Sequence, residues 1–168
     1  MAARPRAPDG GSDAATIGSV GLYTNLDRIE RGLTALGIGA GDPIAPEQLF
    51  PLDQWHYHGT AAIEAAAAAL GLGPASRALE VGSGIGGPAR YLAHTVGCHV
   101  TALELQPKVH ALAADLTRRC GLEGRVTHLC GDALSYPFPD AQFDAVLSWL
   151  AFLHIPERPR LLARLART

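Results

Sequence analysis

Cysteine is scarce in this 168-residue chain: Cys98, Cys120 and Cys130, with no CxxC spacing. An odd count without paired spacing excludes a disulfide framework and fits a reducing, cytoplasmic setting, with the three as small buried hydrophobes. Lysine is scarcer still, Lys108 being the only one, and 14 Lys+Arg stand against 16 Asp+Glu. Without a basic excess there is no electrostatic case for a nucleic-acid partner. No apolar run reaches the roughly 18–20 residues a membrane helix needs. Arg4 and Arg6 are followed by no apolar stretch, which excludes a secretory signal of the usual kind. The seven histidines are scattered with no HExxH pair, so no metal site is expected. What the chain does have is 48% hydrophobic residues and 19 glycines, too apolar for a fully disordered polymer and enough for one domain with a core.

Residues 1–18 are rich in Ala, Pro, Gly and Asp and read as a disordered lead. Residues 19–75 read as a helical region. Leu22, Leu26, Ile29, Leu33 and Leu36 recur at helical steps over 20–36, and Gly37 and Gly39 end the run. Residues 39–51 read as loop or short turns. Residues 60–70 are nearly all Ala, Ile and Leu, a helix with Thr60 as its expected cap and Gly71 as its stop. From residue 76 to 168 strands and helices alternate. Strands are expected at 77–81, 98–103, 125–130 and 144–149, and helices at 88–96, at 107–120 and from near Pro156. Such alternation implies an α/β fold with a parallel sheet and helices on both faces.

One loop stands out. Glu80-Val-Gly82-Ser83-Gly84-Ile-Gly86-Gly87-Pro88 follows a strand and opens a helix. Glycines there permit a tight turn and close backbone approach to a ligand. The spacing alone is ambiguous. Gly82, Gly84 and Gly87 satisfy GxGxxG, the dinucleotide pattern; Gly82, Gly84 and Gly86 satisfy GxGxG, the pattern of S-adenosyl-L-methionine binders. Glu80, at the end of strand one, would repel a pyrophosphate and attract an ammonium. Glu104, ending strand two, suits a pair of ribose hydroxyls under either reading. Asp132, after strand three, is able to accept from an adenine amino group or to make an Asx turn.

Three stretches together resemble the class I S-adenosylmethionine-dependent methyltransferases. Ala78-Leu-Glu-Val-Gly-Ser-Gly-Ile-Gly-Gly-Pro-Ala-Arg-Tyr-Leu92 is similar to their first motif. Thr101-Ala-Leu-Glu-Leu105 is similar to the ribose motif, and Gly131-Asp-Ala through Phe143-Asp144 to the adenine loop. The resemblance covers about half of the chain and implies a Rossmann-like fold. It also implies a backbone cradle at Gly82, Ser83, Gly84 and Gly86 for the methionine part of the cofactor. Leu105, Asp132 and Ala133 would lie at the adenine, and Trp149 close to the cofactor.

Methyl transfer from a sulfonium needs positioning and at most one base. The expected candidates are Gln54, Tyr57 and His58 before the sheet and Trp149 and His154 after strand four. The run Leu52-Asp-Gln-Trp-His-Tyr-His-Gly59 resembles the element that small-molecule members lay over the cofactor, and the whole resembles sarcosine/dimethylglycine N-methyltransferases. That implies a small-molecule acceptor, an amine in the first instance, with O- and C-acceptors open. Two other readings stand beside it: a cofactor-binding but inactive fragment, and an NAD-dependent oxidoreductase. The family's sheet has seven strands and this chain supplies about four. Strand four is then expected as an open apolar edge, with self-association there or a longer parent protein as the outcome.

Overall fold

A computed structural model describes residues 25–168. The disordered lead expected over 1–18, and the start of the first expected helix, lie outside the described residues. Helix α1 (Asp27–Ala35) is followed by α2 (Pro46–Asp53) and α3 (Gly59–Leu70). Then come β1 (Arg77–Val81), α4 (Gly87–Tyr91) and β2 (His99–Glu104), followed by α5 (Pro107–Arg119), β3 (Val126–Cys130), β4 (Ala145–Leu147) and α6 (Arg158–Leu165). The four strands form one parallel sheet in the order β3-β2-β1-β4.

The strands form where short apolar runs sit between glycine and proline punctuation, and their two-residue period sorts side chains to the two faces. Leu79 and Val81 of β1 join Leu103, Leu161 and Leu165 on the α6 face. Ala78 joins Val100, Ala102, Ile63 and Leu92 on the face covered by α3 and α4. Glu80 and Glu104 share that second face at the carboxyl ends of their strands, both buried.

Four local readings are corrected. The loop expected at 39–51 contains α2. Pro46 starts it, and the Ala45 N–H, left over at the helix entrance, donates to Gln48 Oε1 at 3.0 Å. Thr60 does not cap α3; that helix begins at Gly59, after His58 turns the chain with φ +66°. The helix expected at 88–96 is α-helical only to Tyr91 and widens into a π-turn over Leu92–Val96. Strand four is three residues rather than six, because the Ser148 hydroxyl takes the Val81 carbonyl at 2.9 Å and the chain leaves the sheet beyond it.

Helices α1 and α2 do not stand apart from the sheet. Ile29, Leu33, Ile44 and Leu49 share a core with Ile85 of the glycine turn and with Val109 and Leu116 of α5. Each such fully buried side chain contributes about 1.5–3 kcal/mol. Arg119 pins the connection, donating to the Asp42 and Gly39 carbonyls at 2.8 Å each. The end of α2 also lies so close to the glycine turn that a Cβ on Gly87 would stand 2.3 Å from the Asp53 carbonyl oxygen. Only glycine admits that contact.

Candidate functional site

A cavity of about 460 Å³ opens at the carboxyl ends of β1 and β2, within the range of small-molecule sites and where parallel sheets place them. Its floor is the glycine turn. Gly82 is required because a Cβ there would stand 2.2 Å from that of Ala151, and φ is +70°. Glu80, Ser83, Glu104, Leu105, Asp132, Ala133, Trp149 and His154 all line the cavity, as do Gly82 and Gly84. Gly86 lies behind the turn, against His128 and Arg90.

The two glutamates differ in their partners. Glu104 Oε2 accepts the Gly84 N–H and Oε1 the Gln106 N–H, both at 2.9 Å. The carboxylate thus orders the turn, and its remaining lone pairs face the cavity. Burial raises its pKa while those N–H donors lower it. Glu80 is 1% exposed, and its Oε2 has no hydrogen-bond partner among the described residues. Burial, with the Glu104 carboxylate adding to it and Arg90 opposing, pushes the Glu80 carboxyl up to about 8. Asp132 makes an Asx turn, Oδ1 accepting the Leu134 N–H at 2.9 Å, and also borders the cavity. Ser83 Oγ and Trp149 Nε1 are buried with no partner among the described residues.

On the other side of the mouth the structure brings in Asp53, Trp55 and His56, whereas Tyr57 and His58 do not line the cavity. Tyr57 is 73% exposed. The His56 ring stacks on Trp149, centroids 4.9 Å apart at 26°, and joins the cap segment to the residues after β4. Beneath the turn, the Arg90 guanidinium meets Asp53 Oδ2 at 2.8 Å with both side chains at or below 1% exposure. Arg90 also donates to Thr117 Oγ1, whose oxygen lies 2.8 Å from His128 Nε2. Burial, with Arg90 beside it, depresses His128 to about 4, so the ring is neutral.

A family model described as a methyltransferase domain matches residues 79–168, more than half of the chain. The chain belongs to the methyltransferase-domain family. Among curated relatives it is 37% identical over 105 residues to the glycine/sarcosine/dimethylglycine N-methyltransferase of Actinopolyspora halophila, covering 62% of this chain and 19% of that protein. It is 38% identical over 96 residues to the sarcosine/dimethylglycine N-methyltransferase of Halorhodospira halochloris, covering 57% and 34% respectively. Among solved structures, phosphoethanolamine N-methyltransferase 2 of Haemonchus contortus, in complex with phosphomonomethylethanolamine and S-adenosylhomocysteine, superposes with a TM-score of 0.65. The identity is 28%, over 89% of this chain and 33% of that one. This methyltransferase-domain chain therefore spans between a fifth and about a third of the length of these relatives. Its sheet is the Rossmann-like class I sheet, four parallel strands of it described here.

Asp53, Trp55, His56 and Arg90 were not among the residues singled out from the sequence. Arg90 sits inside the glycine motif, in a helix where every residue is buried. A lone arginine among Gly, Pro, Ala and Tyr is the signal that could have found it, since a buried guanidinium demands an acid.

Proposed function

We propose that this chain binds S-adenosylmethionine in the cavity and serves methyl transfer to a small molecule, an amine in the first instance. The observation that carries the reading is the unpartnered Glu80 oxygen buried beside the glycine turn. An arriving ammonium would draw this acid into its ionised form, whereas a pyrophosphate would oppose that charge, which disfavours the NAD reading. Glu104 is offered for the ribose hydroxyls, with Leu105, Asp132 and Ala133 for the adenine. When bound, the cofactor would supply a methyl group already activated on sulfur. Direct in-line displacement then asks the chain for orientation and for exclusion of water. Trp149 and His56 supply the cover, and His154 is the candidate to orient or deprotonate the acceptor. Tyr57 and His58, placed outside the cavity, carry no part in this reading. The amine preference rests on the names of the relatives.

Calorimetric titration with S-adenosylhomocysteine tests the site. Binding that NADH does not displace is expected, and NADH binding in its place would favour the oxidoreductase. Labelled methyl transfer to sarcosine, dimethylglycine and phosphoethanolamine tests turnover; binding without turnover on any acceptor would favour the inactive reading. Glu104→Ala is expected to weaken S-adenosylhomocysteine by about 1–3 kcal/mol, through lost charge-assisted hydrogen bonds and a loosened Gly84. Unchanged affinity would remove Glu104 from the site.

Two further parts of the reading concern setting and assembly. Among the described residues no helix is long and apolar enough to cross a membrane, and all three cysteines are free thiols, which supports a reducing, cytoplasmic setting. The outer edge of β4 pairs with no strand among the described residues, and Leu150, Leu153 and Leu162 are exposed beside it. A second copy on that edge is the proposed partner. A mass that rises with concentration in light scattering, and falls to monomer in Leu162→Glu, is the expected result; a wild-type monomer throughout would exclude it.

A further inference from the structure

A line of side chains runs from beneath the glycine turn to the cover of the cavity. Its base is the buried pair, Arg90 Nη2 on Asp53 Oδ2. The other carboxylate oxygen, Asp53 Oδ1, accepts from Gln54 Nε2 at 2.8 Å. A carboxylate only accepts, so it fixes the amide: nitrogen toward Asp53, oxygen away. That oxygen, Gln54 Oε1, is an acceptor 3.1 Å from His56 Nε2 and holds the ring when that nitrogen carries a proton. The ring so oriented lies flat on Trp149.

Both ends of this line touch the site. Arg90 Nη1 would stand 3.0 Å from a Cβ on Gly86, and the Asp53 carbonyl oxygen 2.3 Å from one on Gly87. At the far end His56 and Trp149 both line the cavity. The ring's other described hydrogen-bond contact is Nδ1 at 3.0 Å from the Tyr57 carbonyl oxygen, a second acceptor, so a neutral ring donates to one of the two and only a protonated ring to both.

We infer that Asp53 and Gln54 are positioning residues that set the His56–Trp149 cover from the same buried charge that braces the glycine turn. The inference rests on the cofactor reading above. Gln54 is the link to cut, because it is only half-buried and its loss leaves the Arg90–Asp53 pair intact.

The test uses the full chain with Trp55→Phe, so that Trp149 is the sole tryptophan, and compares Gln54→Met and Gln54→Ala within it. Met keeps the length and packing of Gln without its hydrogen bonds, and stays informative if Ala unfolds. Two readouts are taken: Trp149 emission in the free protein and S-adenosylhomocysteine affinity by calorimetry. In Gln54→Met the emission is expected to change as the imidazole leaves the indole face. Affinity is expected to fall about five- to tenfold, the size of one or two lost hydrogen bonds, at an unfolding midpoint within about 2 °C of the parent. Unchanged emission in Gln54→Met overturns the inference, and so does changed emission with unchanged affinity. A loss of affinity that merely tracks a lowered unfolding midpoint in both variants reduces Gln54 to packing and overturns it too. Because Trp55 lines the cavity, the affinity of Gln54→Met is also measured in the wild-type chain; if the wild type itself does not bind S-adenosylhomocysteine while the parent's emission still responds to Gln54→Met, the cofactor reading fails, and the positioning role falls with it.

Discussion

Asp53→Ala is expected to destabilise the chain by about 3–5 kcal/mol, a large share of the 5–15 kcal/mol that holds a typical domain together. The reason is what the substitution leaves behind. Arg90 is fully buried, and a guanidinium does not shed its proton at any ordinary pH. Its Nε already has no partner among the described residues. Its remaining contacts, to the Ala113 carbonyl and Thr117 hydroxyl, are long at 3.3 Å each. Removing the carboxylate it pairs with leaves a cation in the core between α4 and α5. Arg90→Met is expected to cost less, since the orphan is then Asp53, which is able to take up a proton. The double variant Asp53→Ala/Arg90→Met is expected to lose less than the sum of the two single variants. It buries neither charge, and the coupling should reach 2 kcal/mol or more. Urea unfolding of the four proteins measures the cycle. An Asp53→Ala penalty below about 1 kcal/mol would mean that water reaches Arg90 and that α2 is not locked to the glycine turn.

The sheet and the gathering of residues at its carboxyl edge were legible in the sequence for one reason. In a parallel sheet the carboxyl ends of successive strands lie side by side, so Glu80, Glu104, Asp132 and Trp149 converge by chain order alone. The burial of Glu80 and Glu104 follows from the apolar runs that precede them. Helix α2 was not legible because it has two prolines in eight residues, so local propensity argues against it. It is held by Leu49, which is fully buried with Ile85 and Val109, and by its last residue docking on Gly87. These are contacts across 34 to 60 residues of chain that no local pattern encodes. The choice among His56, Tyr57 and His58 was lost for a similar reason. Three consecutive ring-bearing residues carry no period, and the one that faces inward is decided by the turn at His58, φ +66°, an unusual conformation for a residue with a Cβ. The length of β4 depended on a single hydroxyl, Ser148, competing for the Val81 carbonyl.

Glu80→Gln is expected to move stability and binding in opposite directions, and the pH dependence separates the two. In the folded chain the Glu80 carboxyl titrates near 8, against 4.5 for the free side chain. Between those values the unfolded chain has released a proton that the folded chain still holds, so wild-type stability falls as pH rises through this window. It is fully present below about 4.5 and lost by about 8. An amide does not titrate, so Glu80→Gln should remove that slope and stand about 1–3 kcal/mol above wild type near pH 8, less the cost of burying the amide. Binding runs the other way. An ammonium group entering beside Glu80 favours the ionised form, so wild-type affinity for S-adenosylhomocysteine should rise with pH toward 8 as less work is needed to remove the proton. Glu80→Gln should bind about 10- to 100-fold more weakly near pH 8, the equivalent of 1.4–2.8 kcal/mol, and should lack the part of the pH dependence that Glu80 supplies. Melting curves and calorimetric titrations of both proteins from pH 5 to 9 give the two profiles. A variant that is more stable yet binds equally well at every pH would make Glu80 a buried burden with no ligand. A variant that loses both stability and binding would make it a structural acid whose hydrogen bonds the cavity requires. Only the opposed pair of shifts assigns the carboxylate to a cation that arrives with the cofactor.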